Sequence, residues 1–190
     1  SWTGGRIGWA VFPTAVEASA FRNLNINYFS CMPAYNQEAA RLAITSPESV
    51  ASVVKMTDAF QARRDVVVEA LNEIEGISCQ LPRGAFYVFP NIAGACERIG
   101  AIEAFESLPA DIREQTSPST LFQLFLLFHY HVATMDRRSF GRIGADGKHY
   151  IRVSIATALE DLEEAMERIR SAAVDQEGFT DFFRGGRYRY

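Results

Sequence analysis

Two arginines in opposite halves of the chain stand in short, strand-like frames where a fixed positive charge can be put to use. Arg6 lies in Ser1-Trp2-Thr3-Gly4-Gly5-Arg6-Ile7-Gly8-Trp9, and Arg152 in Tyr150-Ile151-Arg152-Val153-Ser154-Ile155-Ala156-Thr157. A guanidinium on rigid backbone grips an anion through a planar fork that meets phosphate and carboxylate oxygens two at a time. Two such forks read as a site for a phosphorylated cofactor and a carboxylate substrate. The plain alternatives are an exposed or edge arginine at position 6 and, at position 152, a structural salt bridge on the strand face opposite Ile151 and Val153.

Other chemistry-bearing residues are sparse. Amine nucleophiles are confined to Lys55 and Lys148, the only lysines. Cys31, Cys79 and Cys96 are widely spaced and odd in number, which points to buried free thiols in a reducing compartment rather than a disulfide framework or a zinc site. His129 and His131 stand two residues apart without a carboxylate pair, so no metal site is expected. Tyr87, on an apolar run, reads as core, with a place at a site mouth as the alternative. Glu160, Asp161, Glu163 and Glu164 open a helix, where the macrodipole accounts for them. The arginines Arg184, Arg187 and Arg189, mixed with Phe182, Phe183, Tyr188 and Tyr190, mimic a nucleic-acid patch. A net charge of −4 over 190 residues argues against nucleic acid or an anionic membrane surface as partner.

The elements that must position these residues are legible in outline. With 48% hydrophobic residues and 14 phenylalanines the chain can bury a core. Arg6 to Phe12 reads as a buried strand entered through Gly4-Gly5 and closed by Pro13. Thr14 caps a helix beginning before Ser19, Asn23 to Tyr35 is irregular, and Asn36 caps a helix from Gln37 to Ile44. Ser46 as cap, Pro47 in the first turn, and apolar residues at helical spacing from Val50 to Ile74 predict a long helix ending at Gly76, of a length that often joins two domains. Beyond it the pattern turns α+β. Ala85 to Phe89 is a strand, and Ala95 to Ser119 is helical in patches interrupted by Pro109 and Pro118. Leu121 to Tyr130 is a buried helix. His131 to Met135 and Tyr150 to Ile155 are strands around the turn Gly144-Ala145-Asp146-Gly147. Leu159 to Ala173 is an amphipathic helix with Leu162, Ala165, Met166 and Ile169 inward. Asp175 to Tyr190 reads as a surface arm. No stretch approaches the ~20 apolar residues of a membrane span, and no cleavable leader opens the chain, so a cytoplasmic location is expected.

Four segments, in order, resemble a known family. Thr3-Gly4-Gly5-Arg6-Ile7-Gly8 is similar to the T-G-W-R-x-G run that follows the cofactor lysine of class I/II (fold type I) pyridoxal-phosphate-dependent aminotransferases. Pro82-Arg83-Gly84-Ala85-Phe86-Tyr87 resembles their P-x-G-A-F-Y strand, Ser139-Phe140-Gly141 their Phe-Gly turn, and Ile151-Arg152-Val153-Ser154-Ile155-Ala156 their R-[IV]-S-[FL]-A strand. The chain thus resembles the C-terminal part of such an enzyme, of the aspartate aminotransferase branch. Two departures stand out: Gly5 replaces the common Trp, and Asp136-Arg137-Arg138 falls where a Pro-Gly pair is usual.

The resemblance implies an α/β fold: the C-terminal remnant of the large cofactor domain (residues 1–45), a long interdomain helix (46–76), a small α+β domain (77–174) and a tail (175–190). It implies that Arg6 binds the phosphate of pyridoxal 5'-phosphate and Arg152 the substrate α-carboxylate. The partners implied are an L-amino acid, a 2-oxo acid and a second copy in a homodimer. It places the cofactor-bearing lysine ahead of Ser1, so no catalytic residue is assigned here and the 190 residues alone are expected to be inactive. A non-catalytic association module, and a lyase or decarboxylase of the same fold type, are the alternatives.

Overall fold

A computed structural model describes residues 2–141 and 147–188; of the expected 144–147 turn, positions 144 to 146 lie outside that range, as do Ser1, Arg189 and Tyr190. The chain is α/β and helix-rich with a small sheet, and it divides into two compact units, Ser1–Asp58 and Ala59–Tyr190.

The first unit opens with a 3-10 turn, Thr3–Gly5, followed by an irregular stretch to Pro13. The strand expected at Arg6 to Phe12 does not form. Arg6 takes a left-handed conformation (φ 47, ψ 45) that breaks an extended run at its first residue, and no strand among the described residues of this unit offers it a ladder. Helix α1, Ala15–Phe29, starts where the sequence says, with a complete capping box: the Glu17 amide donates to Thr14 Oγ1 at 3.3 Å and the Thr14 amide to Glu17 Oε2 at 3.1 Å. It runs through the asparagines expected to be irregular, and Asn27 turns its side-chain amide back onto the Asn23 carbonyl at 2.8 Å. Ser30, at φ 61, ends it. Helix α2, Ala34–Thr45, starts on Pro33 rather than Asn36, whose side chain is spent on the Gly5 carbonyl.

Helix α3, Glu48–Asn72, carries the chain from one unit's residues into the other's and is 25 residues long, or roughly 37 Å at 1.5 Å per residue. It stops four residues short of Gly76 because the Asn72 side chain leaves the helical pattern to clamp Cys79, accepting from its amide at 2.8 Å and donating to its carbonyl at 3.0 Å. Gly76, at φ 88, then turns the chain so close to Gly94 that an added Cβ would lie 2.7 Å from the Gly94 carbonyl carbon.

The second unit holds the core. Its sheet has the order β1-β3-β2, antiparallel throughout: β1 (Tyr87–Val88) pairs Tyr87 with Ser154, and β2 (Met135–Asp136) pairs Met135 with Arg152 and Asp136 with Ile151 on β3 (Ile151–Ser154). Both outer strands are shorter than expected. Ala85 (φ 64) and His131 (φ 57) take left-handed conformations at the points where the extended runs were to begin. Short helices α4 (Ala93–Arg98), α5 (Ala101–Glu106) and α6 (Ala110–Arg113) precede α7 (Pro118–His129). Pro118 initiates α7 instead of interrupting a helix: Ser117 caps the Thr120 amide, and proline fills the first turn, where no N–H is needed. The α7 side chains Leu121, Phe122, Phe125 and Leu126 are completely buried, beside Leu162 and Met166 of α8 (Leu159–Ala172).

The expected surface arm is instead helix α9, Gln176–Arg184, capped by Asp175 and packed into the core through Phe179 and Phe182. Apolar residues at i, i+3 and i+4 (Phe179, Phe182, Phe183) give it a buried stripe, and the Tyr130 hydroxyl donates to Asp175 Oδ2 at 2.8 Å. Cys79 and Cys96 are buried free thiols as expected, whereas Cys31 is exposed. Burial raises the pKa of both buried thiols.

Candidate functional site

Arg152 is half-buried in the middle of β3, where strand alternation sends Ile151 and Val153 into the core and Arg152 to the other face. There its guanidinium carbon lies 4.1 Å from the centroid of the Tyr87 ring on β1 and 5.0 Å from that of Phe140. Nη2 is turned to the Met135 sulfur on β2. A ring attracts a cation through its quadrupole, worth about 0.5 to 2 kcal/mol, and a thioether accepts only weakly. No carboxylate of the described residues pairs with Arg152. The salt-bridge alternative is therefore not what the structure contains: the fork is fixed in place, with donors left for an incoming anion. Tyr87 is likewise not core but half-buried, with its ring against the cation.

Around this centre the sheet face is aromatic. Phe89 stacks on Tyr150 (centroids 5.3 Å apart) and meets Phe140 edge-on at 5.9 Å. Phe140 reaches the site on a 3-10 turn, Arg137–Phe140, whose cap is Asp136, 5% exposed. Phe140, Met135 and Asp136 were not singled out as site residues from the sequence. The signal for Met135 is cross-strand register, which a single strand does not carry, although Phe140 stands in the Phe-Gly turn that supported the resemblance.

Arg6 belongs to the other unit. It is exposed and, with Trp2, Thr3 and Ile7, lines a shallow pocket of about 370 Å³ that contains no acidic side chain. The backbone under it is tied down: Asn36 Nδ2 donates to the Gly5 carbonyl at 2.8 Å, and the Trp2 indole covers Gly5 so closely that a Cβ there would lie 2.5 Å from the ring. A side chain at position 5 would have to displace the Trp2 ring from where it lies. Arg6 also forms no ion pair among the described residues, so an unpaired guanidinium beside the Thr3 hydroxyl suits a phosphate dianion.

The remaining candidates are less engaged. Lys55 is exposed on α3 and Lys148 is exposed after Gly147. His129 packs against Phe125 and Tyr130, with Nε2 3.9 Å from Asp175, and no metal-holding group of His, Cys, Asp or Glu occurs among the described residues. No described helix is long and apolar enough to cross a membrane.

The comparisons with known proteins agree with this architecture. The aspartate aminotransferase of Rhizobium meliloti is 35% identical over 170 residues, 90% of this chain and 37% of its own length. That of Pyrococcus horikoshii is 33% identical over the same share of the chain. Among solved structures, an aromatic aminotransferase from Pyrococcus horikoshii OT3 superposes with a TM-score of 0.70 at 28% identity, covering 93% of this chain and 40% of that one. The Rhizobium meliloti aspartate aminotransferase gives 0.62 at 31%, covering 82% and 34%. The chain therefore spans less than half the length of these relatives. The model of the family "Aminotransferase class I and II" matches residues 1–169, and the chain belongs to that family.

Proposed function

We propose that the complete protein is a pyridoxal-phosphate-dependent aminotransferase that moves an amino group between an L-amino acid and a 2-oxo acid, with Arg6 holding the cofactor phosphate and Arg152 the substrate α-carboxylate. The observation that carries this reading is Arg152 itself, fixed on β3 between Tyr87 and Phe140 with no carboxylate of the described residues to satisfy it. The family's relatives named above support the reaction class. When bound, pyridoxal phosphate supplies the carbonyl that accepts the amino group and the electron sink that acidifies the substrate Cα–H. Arg152 fixes the carboxylate at two oxygens, which sets the direction of the neighbouring Cα–H bond and keeps the reacting carbon from rotating away. Removing one partner of such a buried pair costs about 2 to 5 kcal/mol of binding. Arg6 meets a charge that the substrate does not share, so its contribution falls on cofactor retention.

In this reading neither Lys55 nor Lys148 attaches the cofactor, and the 190 residues alone do not turn over substrate. Exposed apolar side chains of the first unit, among them Trp9, Val16, Phe21 and Phe29, support a homodimer in the complete protein, and the three unpaired cysteines support a cytoplasmic location. The test is made in the complete protein. Arg152→Lys keeps the charge but loses the fork, and kcat/KM for the amino donor is expected to fall about 100-fold with the cofactor still bound. Arg6→Ala is expected to narrow the affinity gap between pyridoxal phosphate and pyridoxal. Wild-type kcat/KM in the first variant, or an unchanged gap in the second, overturns the respective assignment.

A further inference from the structure

Resting on the reading that Arg152 holds a substrate carboxylate, we propose that Asp136 is a positioning residue for Arg152, acting through a hydroxyl latch to α7. Two of the three side chains that touch the guanidinium flank Asp136 in the chain: Met135 immediately before it and Phe140 four residues after. Both are substantially exposed, Met135 at 37% and Phe140 at 47%, so core packing does not fix them. Asp136 is 5% exposed, and its carboxylate caps the turn that leads from Met135 to Phe140.

Its carboxylate collects four donors. Oδ1 accepts from the Ser139 amide at 3.2 Å and the Ser139 hydroxyl at 2.5 Å. Oδ2 accepts from the Arg138 amide at 3.1 Å and from Thr120 Oγ1 at 2.7 Å. The first three wind the turn that carries Phe140, and the fourth ties that turn to the first turn of α7. No cation pairs with this carboxylate among the described residues, so these donors alone compensate its burial. The acceptor also fixes the direction of the hydroxyl chain behind it. Thr120 has one proton and gives it to Asp136, so across the 2.8 Å contact Ser117 donates to Thr120. Across the 3.0 Å contact Ser119 then donates to Ser117. Ser119 is completely buried, which anchors the chain in the helix start. On the far side of the turn, the Arg138 guanidinium donates to the carbonyls of Arg113, Glu114 and Thr116. The turn is held from both sides, and what it presents outward is Phe140 against Arg152.

An asparagine at 136 is isosteric but places an N–H₂ where two donors already point. Valine at 120 keeps the shape and removes the donor, and serine at 120 keeps the donor. In the complete protein, the quantity to read is the ratio of kcat/KM for an amino acid to that for its decarboxylated amine, which reports carboxylate recognition and cancels a general loss of folded enzyme. Asp136→Asn and Thr120→Val are each expected to lower that ratio about tenfold, while Thr120→Ser stays within about twofold of wild type. Arg152→Lys separates the two claims. If it lowers the ratio while Thr120→Val leaves it unchanged, the latch is wrong and the carboxylate reading stands. If Arg152→Lys itself leaves the ratio unchanged, the carboxylate reading fails and the latch with it. Should Asp136→Asn not fold, the Thr120 pair decides alone.

Discussion

His149 keeps Nδ1 buried with no hydrogen-bond partner among the described residues, in a pocket also lined by Glu106, Arg113, Glu114, Thr116 and Arg138. Desolvation lowers its pKa below the ordinary 6.5, because a protonated ring there loses water and gains no acceptor at that atom. The sign follows from where each state takes up its proton. In the unfolded chain the ring protonates near 6.5; in the folded chain it resists until a lower pH. The native state is therefore fully favoured above 6.5 and loses ground as pH falls below it. Denaturant midpoints measured from pH 8 down to 5 are expected to decline below 6.5, and His149→Asn is expected to flatten that decline. An unchanged slope in the variant would show that the ring titrates as it does in water.

At the scale of elements, α9 shows how local pattern and tertiary cover combine. Phe179 is 2% exposed and meets Phe125 of α7 edge to face at 5.5 Å, and Asp175 both caps the helix through the Gly178 amide and accepts the Tyr130 hydroxyl. Phe179→Ala is expected to destabilise the second unit by about 3 to 5 kcal/mol, against less than about 0.5 kcal/mol for Val174→Ala at an exposed position. Equal midpoints for the two variants in denaturant titration would mean that α9 is not part of the core. The elements whose signals are local were legible: the Thr14 cap, the period of α3, and the buried stripe of α8. Strand lengths were not, because β1 and β2 end where a partner's register ends and where Ala85 or His131 turns left-handed, and neither event is written in the strand's own residues. The α9 signal was present, an Asp cap and phenylalanines at helical spacing, but the arginines and tyrosines that follow them blurred the period, so the stretch read as a surface arm. Arg6 and Arg152 stood out as candidate residues from their frames, each in its own unit. Met135, Asp136 and Phe140 needed the antiparallel pairing that brings β2 alongside β3.

Over the whole molecule, stability is distributed unevenly, and α3 records it along one helix. Its apolar residues recur at helical spacing throughout, yet Val50 is 69% exposed and Val53 and Val54 each 53%, whereas Val67, Val68 and Leu71 are buried. Among the described residues all the buried hydrophobic side chains lie at Val67 or beyond, and neither α1 nor α2 contributes a buried residue. An isolated helix is marginal in water, and what holds most helices in proteins is cover for an apolar face. Amides in α1, α2 and the first half of α3 are therefore expected to open at a cost of only about 0 to 2 kcal/mol, while those in α7, α8 and the end of α3 require something near global unfolding of the second unit. Hydrogen exchange on the 190-residue chain reads this as a gradient of protection along α3, rising from Val50 to Leu71. Uniform protection along the helix would contradict the argument.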